Sequence, residues 1–178
     1  MLKETFDLVE VPDLAPRWNL APSQQIAIIR EPHHLELVTW GPKLINVKIE
    51  GVTVKPQNRC LVVVDGFYEW RRGDKQPFYF HRPDGKPFAV GGQCRTSVKA
   101  AAIVTCPATE GMKDIHHRMP VVLTQEQWDD WLGGEKVKGT LEELERYPVS
   151  THVNSFKNDD PSCIERVPEG TAAKSRSR

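Results

Sequence analysis

The sequence predicts an α+β fold that is rich in short, mainly antiparallel strands. Short apolar runs alternate with Gly, Pro and Asp through the middle of the chain, a pattern typical of strands joined by turns. Two capping-box patterns follow most of these runs and indicate a few short helices. At 178 residues, the chain is long enough for one domain that buries well over half of its unfolded surface. We therefore expect a single β-rich domain.

Seven apolar runs, each bounded by turn-forming residues, are the predicted strands. The segment Arg82-Pro83-Asp84-Gly85-Lys86 lies between the fourth and fifth of these runs and predicts a hairpin turn. The predicted strands are Ile26–Arg30, Leu35–Trp40, Cys60–Val64, Phe78–His81, Phe88–Gly92, Ala101–Thr105 and Val121–Leu123.

Two short helices are predicted after the strands. Both Thr124-Gln125-Glu126-Gln127 and Thr140-Leu141-Glu142-Glu143 match the capping box, in which side chains satisfy the free N–H groups of a first helical turn. Gly133-Gly134 is expected to end the first helix. Pro148 is expected to end the second, because proline restricts the preceding residue and lacks a donor.

The charges of the chain balance, but their distribution is uneven. Lys plus Arg and Asp plus Glu each total 24, while residues 124–146 carry seven acidic and three basic side chains. A basic face opposite an acidic one and an ordinary mixed surface both fit this pattern. Residues 170–178 are small, basic and poor in apolar side chains, so we expect a disordered tail after a domain spanning residues 1–169.

The cysteines indicate a reducing compartment. Cys60, Cys94, Cys106 and Cys163 lie far apart and form no C-x-x-C pair, so free thiols are the simplest interpretation. We find neither a signal peptide nor an apolar run long enough to cross a bilayer. We therefore expect a soluble cytoplasmic protein that does not contact a membrane.

The segment from Cys60 to Trp70 is the first candidate site. An apolar run ends in Asp65-Gly66, and Glu69 then follows among the aromatic residues Phe67, Tyr68 and Trp70. A carboxyl group in apolar surroundings is costly to ionise, so it becomes suitable as a general acid or base near neutral pH. The alternative is a solvated glutamate at a strand edge whose aromatic neighbours fill the core.

The segment Asp114–Pro120 is the second candidate site. His116 and His117 can exchange protons near neutral pH, and Arg118 offers a planar fork that suits a phosphate. If this stretch is extended, the two adjacent imidazoles point in opposite directions and only one faces a given pocket. No local spacing supplies further metal ligands, and we expect no metal or cofactor.

Aromatic, amide and basic residues mix in a third group, formed by Arg17–Gln24, Trp40-Gly41 and Leu44–Glu50. This composition suits single-stranded nucleic acid, because rings stack on bases and cations meet the backbone. Tryptophans also belong to the cores of ordinary small β proteins, so the pattern alone leaves both interpretations open.

The order of these segments resembles the SRAP family, the SOS response-associated peptidases, from about Arg17 to Pro161. Asp65-Gly66-Phe67-Tyr68-Glu69-Trp70 resembles one signature motif of the family. Ile115-His116-His117-Arg118-Met119-Pro120 resembles the other, with His117 where aspartate is usual. Further segments that resemble the family are Arg17–Gln24, Trp40-Gly41, Asn46–Glu50 with Lys48 in place of arginine, Arg59–Leu61, Pro148–Ser150, Val153-Asn154 and Asn158–Pro161.

The resemblance implies a barrel-like fold and a role in bacterial or phage DNA repair, in association with the nucleoid. Members of the family bind abasic sites in single-stranded DNA, and we expect a monomer that does so. They remove the initiator methionine and link to the lesion through an N-terminal cysteine, which closes a thiazolidine on the opened sugar.

The resemblance also assigns roles to individual residues. Glu69 would shuttle protons, His116 would assist at the sugar oxygen and Asn46 would orient the reacting end. The resemblance also implies five DNA-binding residues. Arg118 and Lys48 would bind phosphates and Trp70 would pack near the lesion, and the other two are Trp40 and Pro22.

Besides His117 and Lys48, the sequence departs from the family at three places. It begins Met1-Leu2-Lys3-Glu4 where the family begins Met-Cys-Gly-Arg, and the segments after Gly41 and after Glu50 are shorter. Crosslinking is therefore expected only if the cysteine is encoded upstream of Met1. The alternative is a non-catalytic variant that binds single-stranded DNA. An unrelated peptidase that uses Cys106 and His116 is a third hypothesis.

Overall fold

The computed structural model describes residues 1–41, 43–50 and 55–170, and it confirms the α+β, strand-rich class. Over these residues the fold consists of strands, two short α-helices and several single 3-10 turns. The helices are α1 (Leu2–Thr5) and α2 (Trp128–Gly133). The strands are β1 (Gln25–Glu31), β2 (His34–Trp40), β3 (Asn46–Lys48), β4 (Arg59–Val64), β5 (Gly66–Trp70), β6 (Pro77–His81), β7 (Phe88–Arg95), β8 (Ala100–Pro107), β9 (Arg118–Pro120), β10 (Val122–Leu123) and β11 (Glu145–Pro148).

Five strands of the larger sheet close into a ring. Strand β7 pairs with β4, β4 with β1, β1 with β2, and β2 with β8, which pairs back with β7. The β2–β8 and β3–β8 pairings are parallel, and the other pairings in this sheet are antiparallel. Strand β8 is the central element, because its first half pairs with β2 and β7 and its second half pairs with β3 and β9.

The smaller sheet carries the first signature motif. It has the order β11-β6-β5, with Glu69 of β5 opposite Phe78 of β6. Gly66 begins β5 where a side chain cannot fit, since a Cβ there would lie 2.4 Å from the ring of Tyr79 and 2.5 Å from the carbonyl oxygen of Phe80. The absence of a side chain at Gly66 therefore lets β5 lie closely against β6.

The core joins the two sheets. One apolar cluster lies around Trp131 of α2, whose indole N–H donates to the carbonyl oxygen of Cys60 at 2.9 Å. Another packs Phe78 and Phe80 of the smaller sheet against Met119 of β9. Burial of this apolar area, at about 25 cal/mol per Å², is the main force that holds the sheets together.

Two predictions about local structure are wrong. The turn at Arg82–Lys86 forms, with Gly85 N–H donating to the Arg82 carbonyl at 3.0 Å, but β6 and β7 do not pair and lie in different sheets. The predicted second helix is absent: residues 141–144 form a turn, and residues 145–148 form β11 on β6. The aromatic strand β6 offers an open edge to that segment, so tertiary pairing overrides the capping-box signal of Thr140.

The first predicted helix forms, although its opening turn is a 3-10 turn. The capping box of Thr124 and Gln127 is present, and Gly134 ends α2 with a φ of 96°. Pro32 and His33 form the tight turn between β1 and β2. Most of the predicted tail, residues 171–178, lies outside the described residues, so the domain boundary at residue 169 stays a prediction.

Candidate functional site

The two signature motifs meet at the end of β5. The Arg72 N–H donates to the Ile115 carbonyl at 3.2 Å, which ties the residues before β9 to the end of the first motif. Ile115 and Met119 are almost fully buried and pack in the same cluster as Phe78 and Phe80, the strand next to Glu69. The apolar residues of the second motif therefore anchor it, and His116 lies near Glu69.

Glu69 is a partly buried carboxylic acid beside an imidazole. Burial raises the pKa of Glu69, and the positive charge of His116 and the N–H of Trp70 partly offset that rise. The Trp70 N–H donates to Oε1 of Glu69 at 3.2 Å. The pKa of Glu69 is thus raised, in the direction that the aromatic surroundings predict, and Glu69 lies half-buried on β5, an edge strand of the smaller sheet.

The backbone of Arg118 fixes the orientation of the His116 ring. Nδ1 of His116 lies 3.1 Å from both the N–H and the carbonyl oxygen of Arg118. In the neutral imidazole, Nδ1 accepts the N–H and the proton is on Nε2; in the imidazolium, Nδ1–H donates to the carbonyl. Both protonation states have a partner at Nδ1, so His116 can gain and lose a proton without turning its ring.

The two histidines lie against each other. The ring centroids of His116 and His117 are 4.5 Å apart at an interplanar angle of 46°. Residue 117 is in a bend, and β9 begins only at Arg118. The extended geometry that would turn the two rings in opposite directions is therefore absent.

Cationic side chains surround the exposed ring of His117. Desolvation lowers the pKa of His117, and the charges of Arg72, His116, Arg118 and Lys48 lower it further. Arg72 and Lys48 are exposed. We call Lys48, Arg72 and Arg118 the basic rim, since their charges act on the ring of His117, which lies against His116.

An acidic partner holds Arg118. Its guanidinium donates to both carboxylate oxygens of Glu50, at 2.6 and 2.9 Å, and to the Thr105 carbonyl at 2.7 Å. The hydrogen bonds from Arg118 lower the pKa of Glu50 to about 2. The predicted contact between Arg118 and a phosphate would require the phosphate to displace Glu50.

Strand β3 carries two further predicted site residues. Asn46 and Lys48 are both exposed, and they pair with Ile103 and Thr105 of β8. Because residues two apart on a strand share a face, their side chains lie on the same side of β3, with buried Val47 on the other. Asn46 is thus on the face that carries Lys48 of the basic rim.

The predicted aromatic contacts have local partners. The Trp70 indole N–H donates to Oδ1 of Asn154 at 2.7 Å, and the Trp40 indole N–H donates to the Ile45 carbonyl at 3.0 Å. Both rings are partly buried. Pro22 is exposed in a turn that is followed by β1.

The Arg17 segment is fixed by the closing segment of the chain. Asp159 accepts from the N–H of Trp18 at 2.6 Å and of Asn19 at 2.9 Å, and it forms an ion pair with Arg17. The Nδ2 of Asn19 donates to the carbonyls of residues 153, 155 and 158. We call Arg17, Trp18, Asn19 and Asp159 the Asp159 clamp.

Burial alone would raise the pKa of Asp159, but the hydrogen bonds from Trp18, Arg17 and Asn19 hold it below its ordinary value. The clamp therefore requires an ionised carboxylate at position 159. Its role is structural, because it fixes the loop before β1 and the residues around Asn154 that contact Trp70.

Sequence reasoning missed Arg72 and the role of Asn154. Nothing in the local pattern distinguishes Arg72 from its neighbour Arg71, which forms ion pairs with Asp74 and Glu169. Asn154 lies in a segment that resembles the family, but its own residue type indicates no contact with Trp70. Only the three-dimensional positions give these two residues a connection to the site.

A family model for SOS response associated peptidase (SRAP) matches residues 1–156. The chain belongs to the SRAP family. The SRAP resemblance of the two signature motifs is thereby confirmed.

Curated SRAP relatives match most of the chain. The abasic site processing protein YedK of Escherichia coli (strain K12) is 31% identical over 198 residues, which cover 90% of this chain and 89% of YedK. The abasic site processing protein YoqW of Bacillus subtilis (strain 168) is 31% identical, with 84% of this chain and 86% of the relative covered. The abasic site processing protein HMCES of Gallus gallus is 32% identical, with 60% of this chain and 43% of the relative covered.

Solved structures share the SRAP chain's fold. A phage-related protein from Bordetella bronchiseptica superposes with a TM-score of 0.63 at 26% identity, covering 83% of this chain and 88% of that chain. A protein from Bacteroides thetaiotaomicron gives a TM-score of 0.64 at 21% identity, with 82% of each chain covered, and supports the fold alone. Among the described residues of this chain, no helix is long and apolar enough to span a membrane.

Replacing Glu69 with glutamine is expected to stabilise the fold at neutral pH. Because burial raises the pKa of Glu69, ionising this group costs more free energy in the folded than in the unfolded protein. The resulting loss of stability begins as pH rises above the pKa in the unfolded protein, and it is complete above the pKa in the folded protein. Glutamine does not ionise, so we expect the melting temperature of Glu69→Gln to exceed that of the wild type by about 1–3 °C near pH 7, and by less near pH 4. Melting curves across this range test the sign. Glu145→Gln, at an exposed position of the same sheet, is the control, and a difference that grows towards low pH contradicts the prediction.

Proposed function

We propose that this SRAP protein binds abasic sites in single-stranded DNA, with the lesion at the Glu69–His116 pair and the flanking phosphates at the basic rim. One observation carries the proposal. A carboxyl group of raised pKa adjoins an imidazole, and cationic side chains act on the neighbouring ring of His117. The relatives named abasic site processing proteins support the choice of lesion.

The chemistry of the Glu69–His116 pair suits the opening of an abasic sugar. The closed sugar is a hemiacetal, and opening it requires one proton to leave the hydroxyl and another to reach the ring oxygen. Burial raises the pKa of Glu69, which makes its ionised carboxylate a stronger base that can take the first proton. The imidazole, with both protonation states satisfied at Nδ1, can supply the second. We assign the first role to Glu69 and the second to His116.

A covalent step requires a nucleophile at the mature amino terminus. An α-amine titrates near neutral pH and condenses with the opened aldehyde to an imine with loss of water; a neighbouring thiol then adds across the C=N bond and closes a thiazolidine. Within the proposal, Asn46 orients the reacting end, and Glu69 also serves in autoproteolytic removal of the initiator methionine. This step applies to a form of the protein that carries an N-terminal cysteine.

The second candidate function is non-covalent binding of single-stranded DNA by the chain that begins at Met1. The features that favour it are the exposed cations Lys48 and Arg72 and the partly buried rings of Trp70 and Trp40. Aromatic rings that stack on bases and cations that contact phosphates are sufficient to bind single-stranded DNA without a covalent step.

Two assays separate these functions. The first measures fluorescence anisotropy of labelled single strands that contain a natural abasic site, a stable tetrahydrofuran analogue or an ordinary base. The second detects SDS-resistant adducts with the natural abasic strand, using a protein whose mature amino terminus is cysteine. Preference for the abasic strands supports the proposed abasic-site binding, and an adduct with the natural abasic strand supports the covalent step in addition. Equal binding to all three strands, with no adduct, refutes the proposal and supports the second candidate.

Removing two cations of the basic rim is expected to weaken DNA binding and its dependence on salt. Each phosphate contact releases counterions, at about 0.7 per contact for single strands. We expect Lys48→Ala/Arg72→Ala to weaken binding by about 10- to 100-fold near physiological salt and to flatten the log–log salt slope by about 1.4.

The matched control for this double variant is Lys138→Ala/Arg95→Ala, which removes the same charges from exposed positions elsewhere on the chain. If the control flattens the slope equally, net charge rather than the basic rim determines binding. The assignment of phosphates to the rim would then be wrong.

A further inference from the structure

Three side chains with metal-ligating atoms converge in the segment between β11 and the end of the described chain. They are His152, in a 3-10 turn at Thr151–Asn154, and Asp160 and Cys163, at a second 3-10 turn at Pro161–Ile164. Their ligand atoms, one from each residue, all lie within 4.8 Å of one another. The mechanism proposed for Glu69 and His116 uses none of the three.

Backbone contacts fix the positions of these side chains. Asp160 caps the second turn, with Oδ1 accepting from the Ser162 N–H at 2.9 Å, so its other oxygen, Oδ2, faces His152 Nε2 at 2.9 Å. The Cys163 N–H donates to the Asp160 carbonyl at 3.0 Å. Hydrogen bonds within the segment therefore hold the three ligand atoms near one another.

Asn158 joins the two turns behind the cluster. Its Nδ2 donates to the His152 carbonyl at 2.8 Å, and its own carbonyl accepts the Cys163 thiol at 3.4 Å. Cys163 is completely buried, whereas His152 and Asp160 keep 36% and 45% of their side chains exposed. An ion can therefore approach from the side of the imidazole and the carboxylate and find the sulfur at the inner end.

We propose that His152 Nε2, an Oδ of Asp160 and Cys163 Sγ bind a divalent zinc ion, with water as the fourth ligand. Zinc accepts nitrogen, oxygen and sulfur donors in one tetrahedral site, whereas magnesium and calcium prefer oxygen alone. Tetrahedral ligands at zinc bond lengths lie about 3.5 Å apart, so closing the observed cluster around an ion requires shifts of about 1 Å.

Burial raises the pKa of the Cys163 thiol, and zinc would bind the thiolate. The thiol proton is released to water on binding. The exposed faces of His152 and Asp160 are the route by which the proton and the displaced solvent leave.

An ordinary histidine–aspartate hydrogen bond beside a buried cysteine is the alternative. The chain itself offers a comparison, because His33 Nδ1 lies 3.2 Å from a carboxylate oxygen of Asp7. Only the His152–Asp160 pair has the sulfur of Cys163 beside it. If metal binding depends on the thiolate, the His152–Asp160 pair will therefore bind the ion and the His33–Asp7 pair will not.

The zinc ion would brace the segment that supports Trp70. His152 belongs to the same 3-10 turn as Asn154, whose side chain accepts the Trp70 indole N–H. Linking the two turns through an ion would favour the folded arrangement by mass action. This inference stands apart from the proposed DNA binding, because metal binding and its effect on stability are measured without DNA.

The test uses the full chain, stripped with a chelator and titrated with cobalt(II), which replaces zinc and reports thiolate ligation through near-ultraviolet charge-transfer absorption. We expect one cobalt per chain with that absorption, and displacement of the cobalt by zinc. Zinc at about a hundredfold excess over its dissociation constant is expected to raise the melting temperature by about 5–10 °C.

Variants identify the ligands. Cys163→Ser, which keeps a donor for the Asn158 carbonyl, and His152→Ala are expected to lose the absorption and the zinc-dependent rise in melting temperature. His33→Ala and Cys106→Ser are the matched controls and are expected to keep both. Absence of thiolate absorption in the wild type, or its survival in Cys163→Ser, overturns the proposal.

Discussion

Glu69→Gln is expected to slow formation of the abasic-site adduct by about 10²- to 10⁴-fold in a protein with an N-terminal cysteine. Loss of a positioned general acid or base typically has an effect of this size. Glutamine keeps the shape and the contact with the Trp70 N–H but cannot carry a proton. Binding of the tetrahydrofuran analogue, which needs no ring opening, is expected to stay within about twofold of the wild type.

The measurement is the single-turnover rate of SDS-resistant adduct formation across a pH series. Because the pKa of Glu69 is raised, the wild-type rate is expected to rise with pH as the carboxylate forms, whereas this ascending limb is lost in Glu69→Gln. Glu145→Gln, in β11 of the same sheet, is the control. An unchanged rate in Glu69→Gln would remove Glu69 from the chemistry.

Asp159→Ala is expected to lower the free energy of unfolding by about 2–4 kcal/mol. The change leaves the N–H groups of Trp18 and Asn19 without their acceptor and removes the ion-pair partner of Arg17. Each orphaned buried donor costs about 1–3 kcal/mol, and solvent reaching the partly exposed Arg17 reduces the total. The melting temperature should fall by about 10 °C.

Urea denaturation of Asp159→Ala measures this loss, and Asp84→Ala is its control. Asp84 also accepts backbone and arginine donors, but it lies in the exposed turn between β6 and β7, where such contacts contribute little. We expect the control to lose less than about 1 kcal/mol. If Asp159→Ala and Asp84→Ala lose the same free energy of unfolding, burial does not account for the contribution of the Asp159 clamp to stability.

The strands that could be predicted are those whose own residues specify them. Val62 and Ile28 lie in apolar runs bounded by turn residues, and both are in central strands of the ring. β11 could not be found in this way, because Glu145 and Arg146 carry the charge pattern of a helix surface and become a strand only by pairing with β6. Closure of the ring through β8 was equally hidden, since it depends on pairings between distant segments.

The residues of the site that could be predicted are those whose side chains can act as acids or bases. A glutamate among aromatic residues predicted a raised pKa for Glu69, and the motif order placed His116 with it. The sequence could not show that Glu50 would hold Arg118, because a charge 68 residues away becomes its partner only after folding. Nor could it show the convergence of His152, Asp160 and Cys163, whose spacing matches no local metal motif.

The Asp159 clamp has a consequence for biosynthesis. Its two sides are separated by 142 residues, so a ribosome that adds about 5–20 residues per second completes the Asp159 side roughly 7–28 s after the Arg17 side. During that interval the backbone donors of Trp18 and Asn19 bond to water, because the Asp159 carboxylate that fixes the loop ahead of β1 is not yet made. A nascent-chain proteolysis experiment would find this loop open to cleavage until late in translation.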